Sequence, residues 1–229
     1  MDIILIYSGG LDSTTLLYHL RADGHHVAAL SINYGQRHRW ELVAAQRLCH
    51  ALGVVHELVD LQVLRPLLAG SSQTDCTVPV PHGHYTDASM KATVVPNRNM
   101  LLLALAGAWA MSRKADAIAY AAHRGDHPVY PDCRPVFIAA LREALTLADW
   151  HVVDLITPFA HLDKTAIVQR GAALGVPFAQ TWSCYDPQTD PVTARPVHCG
   201  RCGTDVERQE AFALAGIPDP TEYAYVASL

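Results

Sequence analysis

The apolar positions of this chain fall into short unbroken runs that alternate with longer, periodically patterned ones. Residues 2–7 (DIILIY) are apolar almost without interruption, as in a strand covered on both faces. They lead into SGGLDSTT and a helix-patterned stretch reaching about Arg21. Residues 25–33 predict a second strand, 37–53 a helix stopped by Gly53, and 55–61 a third strand. A long stretch over 66–98, rich in Gly, Pro, Ser, Thr and His, interrupts the pattern, and loops of that length are usually functional or disordered. Helix 99–113 and strand 117–123 resume it. A loop and helix over 124–148, a fifth strand at 151–158 and a helix at 163–175 complete it.

Such alternation implies a parallel sheet with helices on both faces, here a Rossmann-like, doubly wound α/β fold of five strands. The long crossing followed by a return strand suits a chain that doubles back past strand 1. Ligands in such sheets bind beyond the carboxyl ends of the strands, where the winding reverses. The segments after strands 1 and 4, SGGLDSTT and HRGDHPVYPDCR, should therefore line one cleft. Near residue 180 the character changes, and the last 50 residues carry three of the six cysteines. The expected division is a main domain over 1–180 with a smaller segment, 181–229, packed on it.

Composition narrows the chemistry. Half of the 229 residues are hydrophobic and 17% are charged, which supports a folded core. Lys and Arg total 17 against 22 Asp and Glu, a formal net charge of −5. Without a polybasic run, direct nucleic-acid binding is not expected, because it rests on neutralising phosphates. The apolar run 100–111 is too short to span a bilayer, and the first residues lack the basic start of a signal peptide. Six cysteines in this setting do not read as a disulfide framework. A soluble, cytoplasmic protein is expected, its oligomeric state left open, a homodimer included.

The glycine loop carries the first specific signal. Backbone N–H groups at a helix start form an anion site, and Gly9 and Gly10 would let the chain approach phosphate oxygens closely. Ser8, Ser13 and Thr14 add hydroxyls, and Asp12 can carry a metal ion or cap the helix. The loop has neither the lysine of a Walker motif nor the spacing of a dinucleotide fingerprint. It matches the S-G-G-x-D-S signature of the PP-loop, or ATP pyrophosphatase, superfamily. That resemblance implies ATP held by residues 8–14 (Ser8, Gly9, Gly10, Leu11, Asp12, Ser13, Thr14), with pyrophosphate as leaving group and adenylation of a substrate oxygen.

Further segments narrow the acceptor: YGQRHRWE, VVPNRNM, GDHPVYPDCRPVFI, DKTAIV, TWSCY and HCGRCGTDVERQEAF. In this order they resemble the 7-cyano-7-deazaguanine (preQ0) synthase family over nearly the whole chain. The resemblance implies a carbon–nitrogen ligase that uses ATP, Mg²⁺ and ammonia to turn 7-carboxy-7-deazaguanine into the nitrile through an acyl-adenylate and an amide, in queuosine or another 7-deazapurine pathway. Asp12, Lys164, Asp132 and Arg134 are the candidate catalytic residues. Asn97, Arg98, Asn99, Asp126, His127, Asp132 and Arg134 are candidates for the planar substrate and its carboxylate. Lys164 also reads as a surface lysine, Asn97 as a helix cap and Arg134 as an ion-pair partner. His123, with Asp126 and His127, could shuttle protons at the cleft mouth, and Cys133 reads better as a small buried residue than as a nucleophile.

The family's structural zinc motif has four cysteines, the last three spaced C-x2-C-x2-C. Here Cys199 and Cys202 take the first two of those places, Asp205 stands at the third, and Cys184 lies upstream across a longer loop. Carboxylate is an accepted zinc ligand, so Cys184, Cys199, Cys202 and Asp205 form the candidate set, with His198 in reserve. Three other readings remain: a relative that traps the activated carboxylate with another amine or stops at the amide, a tRNA-modifying PP-loop enzyme, and a zinc knuckle without catalysis.

Overall fold

The computed structural model describes residues 1–84, 90–126, 128 and 130–225. Strand β1 (Asp2–Ile6) sits at the centre of a five-stranded, wholly parallel sheet. Next come helix α1 (Leu11–Ala22), β2 (His26–Asn33), α2 (Trp40–Leu52) and β3 (Val55–Asp60). A 3₁₀ segment at Gln62–Leu68 leads toward α3 (Arg98–Arg113), β4 (Ala117–Ala119), α4 (Pro135–Thr146), β5 (Asp154–Ile156) and α5 (Lys164–Ala173). The strand order β3-β2-β1-β4-β5 places the winding reversal between β1 and β4, with Ile3 opposite Ala117 and Leu5 opposite Ala119.

Alternation along β1 serves both faces, as its unbroken apolar run requires. Ile3 and Leu5 join Leu16, Leu17 and Ile167 in the core beneath α1, α2 and α5. Ile4 joins Leu103, Ile138 and Leu141 beneath α3 and α4. Strands β4 and β5 are shorter than the apolar pattern predicts. The ladder ends at Ala119↔Ile156, and Tyr120 and Ala122 leave it to line the cleft above.

The described part of the stretch 66–98 beyond Leu68 is largely turns and bends, as its composition predicts, yet part of it is packed into the fold. Ser71, Ser72, Gln73 and Thr74 are all buried, and the Ser72 N–H donates to the Ala92 carbonyl at 2.8 Å. Beyond residue 180 a short hairpin pairs Gln188–Thr189 (β6) with Pro196–Val197 (β7) before α6 (Gly203–Ala215) packs on α5. Arg208 on α6 is almost fully buried, and its guanidinium donates to Thr181 Oγ1 at 2.9 Å and to the Phe178 carbonyl at 3.0 Å. The buried cation thereby ties α6 to the turn that enters this segment.

Candidate active site and metal centre

Beyond Ile6 the chain turns through Ser8, Gly9 and Gly10 into α1. Gly9 has φ +82°, and a Cβ there would lie 2.4 Å from the Glu41 carbonyl oxygen and 2.6 Å from the Ala45 nitrogen. Its lack of a side chain lets the loop pack on the backbone of α2. The loop also ties itself together. Ser8 and Ser13 hydroxyls are 3.0 Å apart, and the Gly10 N–H donates to Ser8 Oγ at 3.2 Å. Gly10 is the N-cap of α1, which has no side-chain cap. The first-turn N–H groups of Leu11, Asp12 and Ser13 therefore lack intrahelical acceptors, and all three residues line the cleft. Such a helix start can take an anion. Thr14 is placed otherwise: it is fully buried, its hydroxyl 3.2 Å from that of Tyr7.

The cleft encloses about 250 Å³. At the loop's side of it, Asp12 Oδ2 lies 3.4 Å from Lys164 Nζ, and Lys164 also lies 3.4 Å from Glu207 Oε2. Burial works against the Asp12 charge, but Lys164 and His123 outweigh it and hold the carboxyl below its usual range. Burial likewise opposes the Lys164 charge, and Asp12, Glu207 and Asp126 hold it cationic. Among the described residues Asp12 Oδ1 is buried without a hydrogen-bond partner, a carboxylate oxygen with capacity for a cation. His123 Nδ1 accepts the Gly125 N–H at 3.1 Å, which leaves the proton on Nε2, 3.5 Å from Asp126 and 4.0 Å from Asp12.

The candidate substrate residues separate. Arg98 and Asn99, at the start of α3, and Asp126 line the cleft. Arg98 lies over the Tyr130 ring at 5.9 Å, beside Tyr34, whose hydroxyl burial pushes up to about 12. Asp132 accepts the Asn99 N–H at 3.0 Å and so caps α3 from beside the cleft. Asn97 takes the N-cap position of α3 with φ +55° and an exposed side chain. Arg134 is exposed at the start of α4, outside the cleft lining. His127 lies outside the described residues. Cys133 is buried, receives Asn99 Nδ2–H at 3.2 Å, and burial pushes its thiol up, as suits an inert side chain. Sequence reading missed Tyr34, His38, Glu41 and Glu207, all in the lining. The signal for two of them was the His-x-x-Glu spacing where α2 begins.

The C-terminal segment forms the opposite wall with Trp182, Ser183, Tyr185 and Thr204, and the Trp182 N–H donates to the Gly9 carbonyl at 3.0 Å. Behind that wall, ligand atoms of Cys184, Cys199, Cys202 and Asp205 lie within 4.8 Å of one another, each residue fully buried. Cys184 and Cys202 sulfurs are 3.9 Å apart, close to the ~3.8 Å that tetrahedral bonds of about 2.3 Å impose. N–H groups of Arg201 and Cys202 donate to Cys199 Sγ at 3.3 and 3.1 Å, as around a thiolate. Asp205 Oδ2 accepts the Gly200 N–H at 2.9 Å, while Oδ1 is buried without a partner among the described residues. Burial first, then Cys202, pushes Asp205 up to about 7. So many acidic groups this close need a cation to ionise together, so the set fits a metal ion. His198 stands apart: its Nε2 accepts the Ser183 N–H at 3.0 Å.

Comparison with known proteins shows the family and the fold. Residues 2–216 match the family model described as "Queuosine biosynthesis protein QueC". The chain is 47% identical over 225 residues to a 7-cyano-7-deazaguanine synthase of Hahella chejuensis, covering 98% of this chain and 94% of that one. It is 48% identical over 223 residues to one of Methanoregula boonei, covering 97% and 99%. Among solved structures it resembles the U34-tRNA thiolase NcsA of Methanococcus maripaludis, with a TM-score of 0.52 and 16% identity over 100% of this chain and 80% of that one. It also resembles a 4-thiouridine synthetase, with a TM-score of 0.53 and 15% identity over 94% of this chain and 50% of that one. At such identity the likeness to these two is one of fold. Among the described residues no helix is long and apolar enough to cross a membrane.

Proposed function

The chain belongs to the queuosine biosynthesis protein QueC family, and we propose from that premise that it is an ATP-dependent 7-cyano-7-deazaguanine synthase acting on small molecules in the cytoplasm. Relatives of this name, 42–49% identical over nearly the full length, support formation of the nitrile over arrest at the amide or conjugation to another amine. The single observation that carries the ATP dependence is the uncapped α1 start, whose free N–H groups share a cleft with Asp12 and Lys164.

In this reading ATP is a substrate, its β,γ-phosphates on the N–H groups of Leu11, Asp12 and Ser13 and the Ser8 and Ser13 hydroxyls. Asp12, through its unpartnered Oδ1, would hold Mg²⁺, which supplies charge neutralisation to the leaving pyrophosphate. Lys164 adds a fixed cation from the first turn of α5 where negative charge develops. Arg98, braced on Tyr130 beside Tyr34, takes the deazaguanine or its carboxylate from the far side. The chemistry needs no protein nucleophile, because the substrate carboxylate attacks the α-phosphorus and the acyl-adenylate is then open to ammonia.

Cys184, Cys199, Cys202 and Asp205 would hold a structural Zn²⁺. Since Cys184 is followed by Tyr185 and Cys202 by α6, such an ion would set the cleft wall without entering the reaction. The reading is tested by counting AMP released per nitrile formed from 7-carboxy-7-deazaguanine. Two are expected, one for each activation, and none would sink the ATP dependence.

A further inference from the structure

We infer that His38 is the general base that removes protons from nitrogen in this cleft, with Glu41 as its positioning residue. The inference rests on the adenylation reading above and adds to it a residue for the steps that follow activation.

His38 is 3% exposed and lines the cleft. Its Nε2 lies 3.2 Å from Glu41 Oε2, so the carboxylate keeps the ring proton on that nitrogen. Nδ1 is then a lone-pair acceptor, and it is buried without a hydrogen-bond partner among the described residues. A buried polar atom left unpaired costs stability unless something else uses it. The ring's orientation is fixed from two sides. Glu41 Oε1 accepts from Gln36 Nε2 at 3.0 Å, and Gln36 is itself held by the Tyr34 N–H at 2.9 Å and the Ile32 carbonyl at 3.1 Å. Tyr185 packs on the ring with centroids 4.6 Å apart.

Position and competition both favour this histidine. The Glu41 backbone abuts the Gly9 site of the phosphate loop. Tyr34, on the other flank, borders Arg98. The pair therefore stands between the activating end and the arginine end of the cleft. His123, the alternative, has no spare lone pair: its Nδ1 accepts Gly125 N–H, and its Nε2 faces Asp12 and Asp126.

After activation each step removes a proton from nitrogen. Ammonia bonds to the carbonyl carbon of the acyl-adenylate, the carbon–oxygen bond to AMP breaks, and one N–H proton passes to His38 Nδ1. The amide oxygen then bonds to the α-phosphorus of a second ATP, pyrophosphate leaves, and nitrogen gives up a proton. Loss of the last N–H proton, as the carbon–oxygen bond to AMP breaks, leaves the carbon–nitrogen triple bond. Between steps the imidazolium returns its proton to bulk water.

The test separates activation from proton removal. For His38→Asn and Glu41→Gln, pyrophosphate–ATP exchange dependent on 7-carboxy-7-deazaguanine is compared with nitrile formation. His38→Asn is expected to keep exchange within a few-fold while nitrile formation falls by about 10²–10⁴, the usual worth of a general base. Added imidazole should restore part of the loss. Glu41→Gln should lower kcat for nitrile formation by less, with KM for the deazaguanine unchanged. Equal loss of exchange and nitrile formation, with no rescue by imidazole, would overturn the assignment and leave His38 a packing residue. Absence of exchange in the unaltered protein would instead overturn the adenylation reading, and the base with it.

Discussion

Lys164 Nζ and Asp12 Oδ2 meet at 3.4 Å, each in the first turn of its own helix and 152 positions apart along the chain. The sheet makes this meeting possible, because α1 leaves β1 and α5 follows β5 on the same face of the sheet, from either side of the winding reversal. The pair puts one fixed positive charge beside a carboxylate oxygen with no partner among the described residues, at the helix start proposed to take phosphate. Replacing Lys164 by Met should therefore lower substrate-dependent pyrophosphate exchange by roughly 10²–10³, the cost of removing one preorganised charge-stabilising group. Exchange at the unaltered rate would place Lys164 outside the reaction.

Gly9→Ala tests the loop's packing independently of any chemistry. The residue has φ +82°, and the new Cβ would meet the backbone of α2 at 2.4 Å. Backbone strain of this kind costs about 1–3 kcal/mol. The thermal midpoint should fall by about 2–4 °C for each kcal/mol lost in a chain of this size. An unchanged urea midpoint would show that the loop can move away from Glu41.

Asp205→Ala should empty the C-terminal metal centre. The carboxylate sits among the three cysteine sulfurs with one oxygen unpartnered, so its loss should weaken binding by at least about tenfold, more than losing a mere supporting contact. Metal content by atomic emission should drop, and a chelator should no longer lower the melting temperature. Asp205→Cys, a better zinc ligand, should retain the ion under the same wash. Equal metal content in all three proteins would remove Asp205 from the coordination set.

Acid stability should report His56 and His19. Burial is the largest cause holding both below their ordinary range. A histidine depressed in the folded state binds its proton more readily when unfolded. Its stabilisation is thus present above about pH 6.5 and is lost as the pH falls below that toward the folded value. Melting temperature should accordingly decline from pH 7 to 5.5, and less steeply in His56→Gln, which keeps a donor toward Ser31 Oγ, now 2.8 Å from the ring nitrogen. A parallel decline in both proteins would assign the acid sensitivity elsewhere.

Much of the fold was legible because its signals are local. The unbroken apolar run of β1 and the glycine that stops α2 are readable at single positions. So was the cluster that could hold a metal ion, since two of its cysteines and Asp205 lie within seven residues. Other features depend on what neighbours do. The β4–β5 ladder runs over only three pairs and ends at Ala119, and nothing in AIAYAAH announces so short a strand. Thr14 looks like another hydroxyl of the phosphate loop, yet α1 turns it inward to Tyr7. Asp132 belongs to a polar motif after β4, yet it spends its carboxylate on the Asn99 N–H. Glu207 was invisible as a cleft residue because only the packing of α6 on α5 brings it to Lys164.

The central claim is tested most directly by mass spectrometry of the products formed by the purified protein from 7-carboxy-7-deazaguanine, Mg-ATP and ammonium. The expected result is 7-cyano-7-deazaguanine with AMP and pyrophosphate, and the amide appearing only transiently. Amide that accumulates without nitrile, or substrate that stays unchanged while ATP is intact, would contradict it.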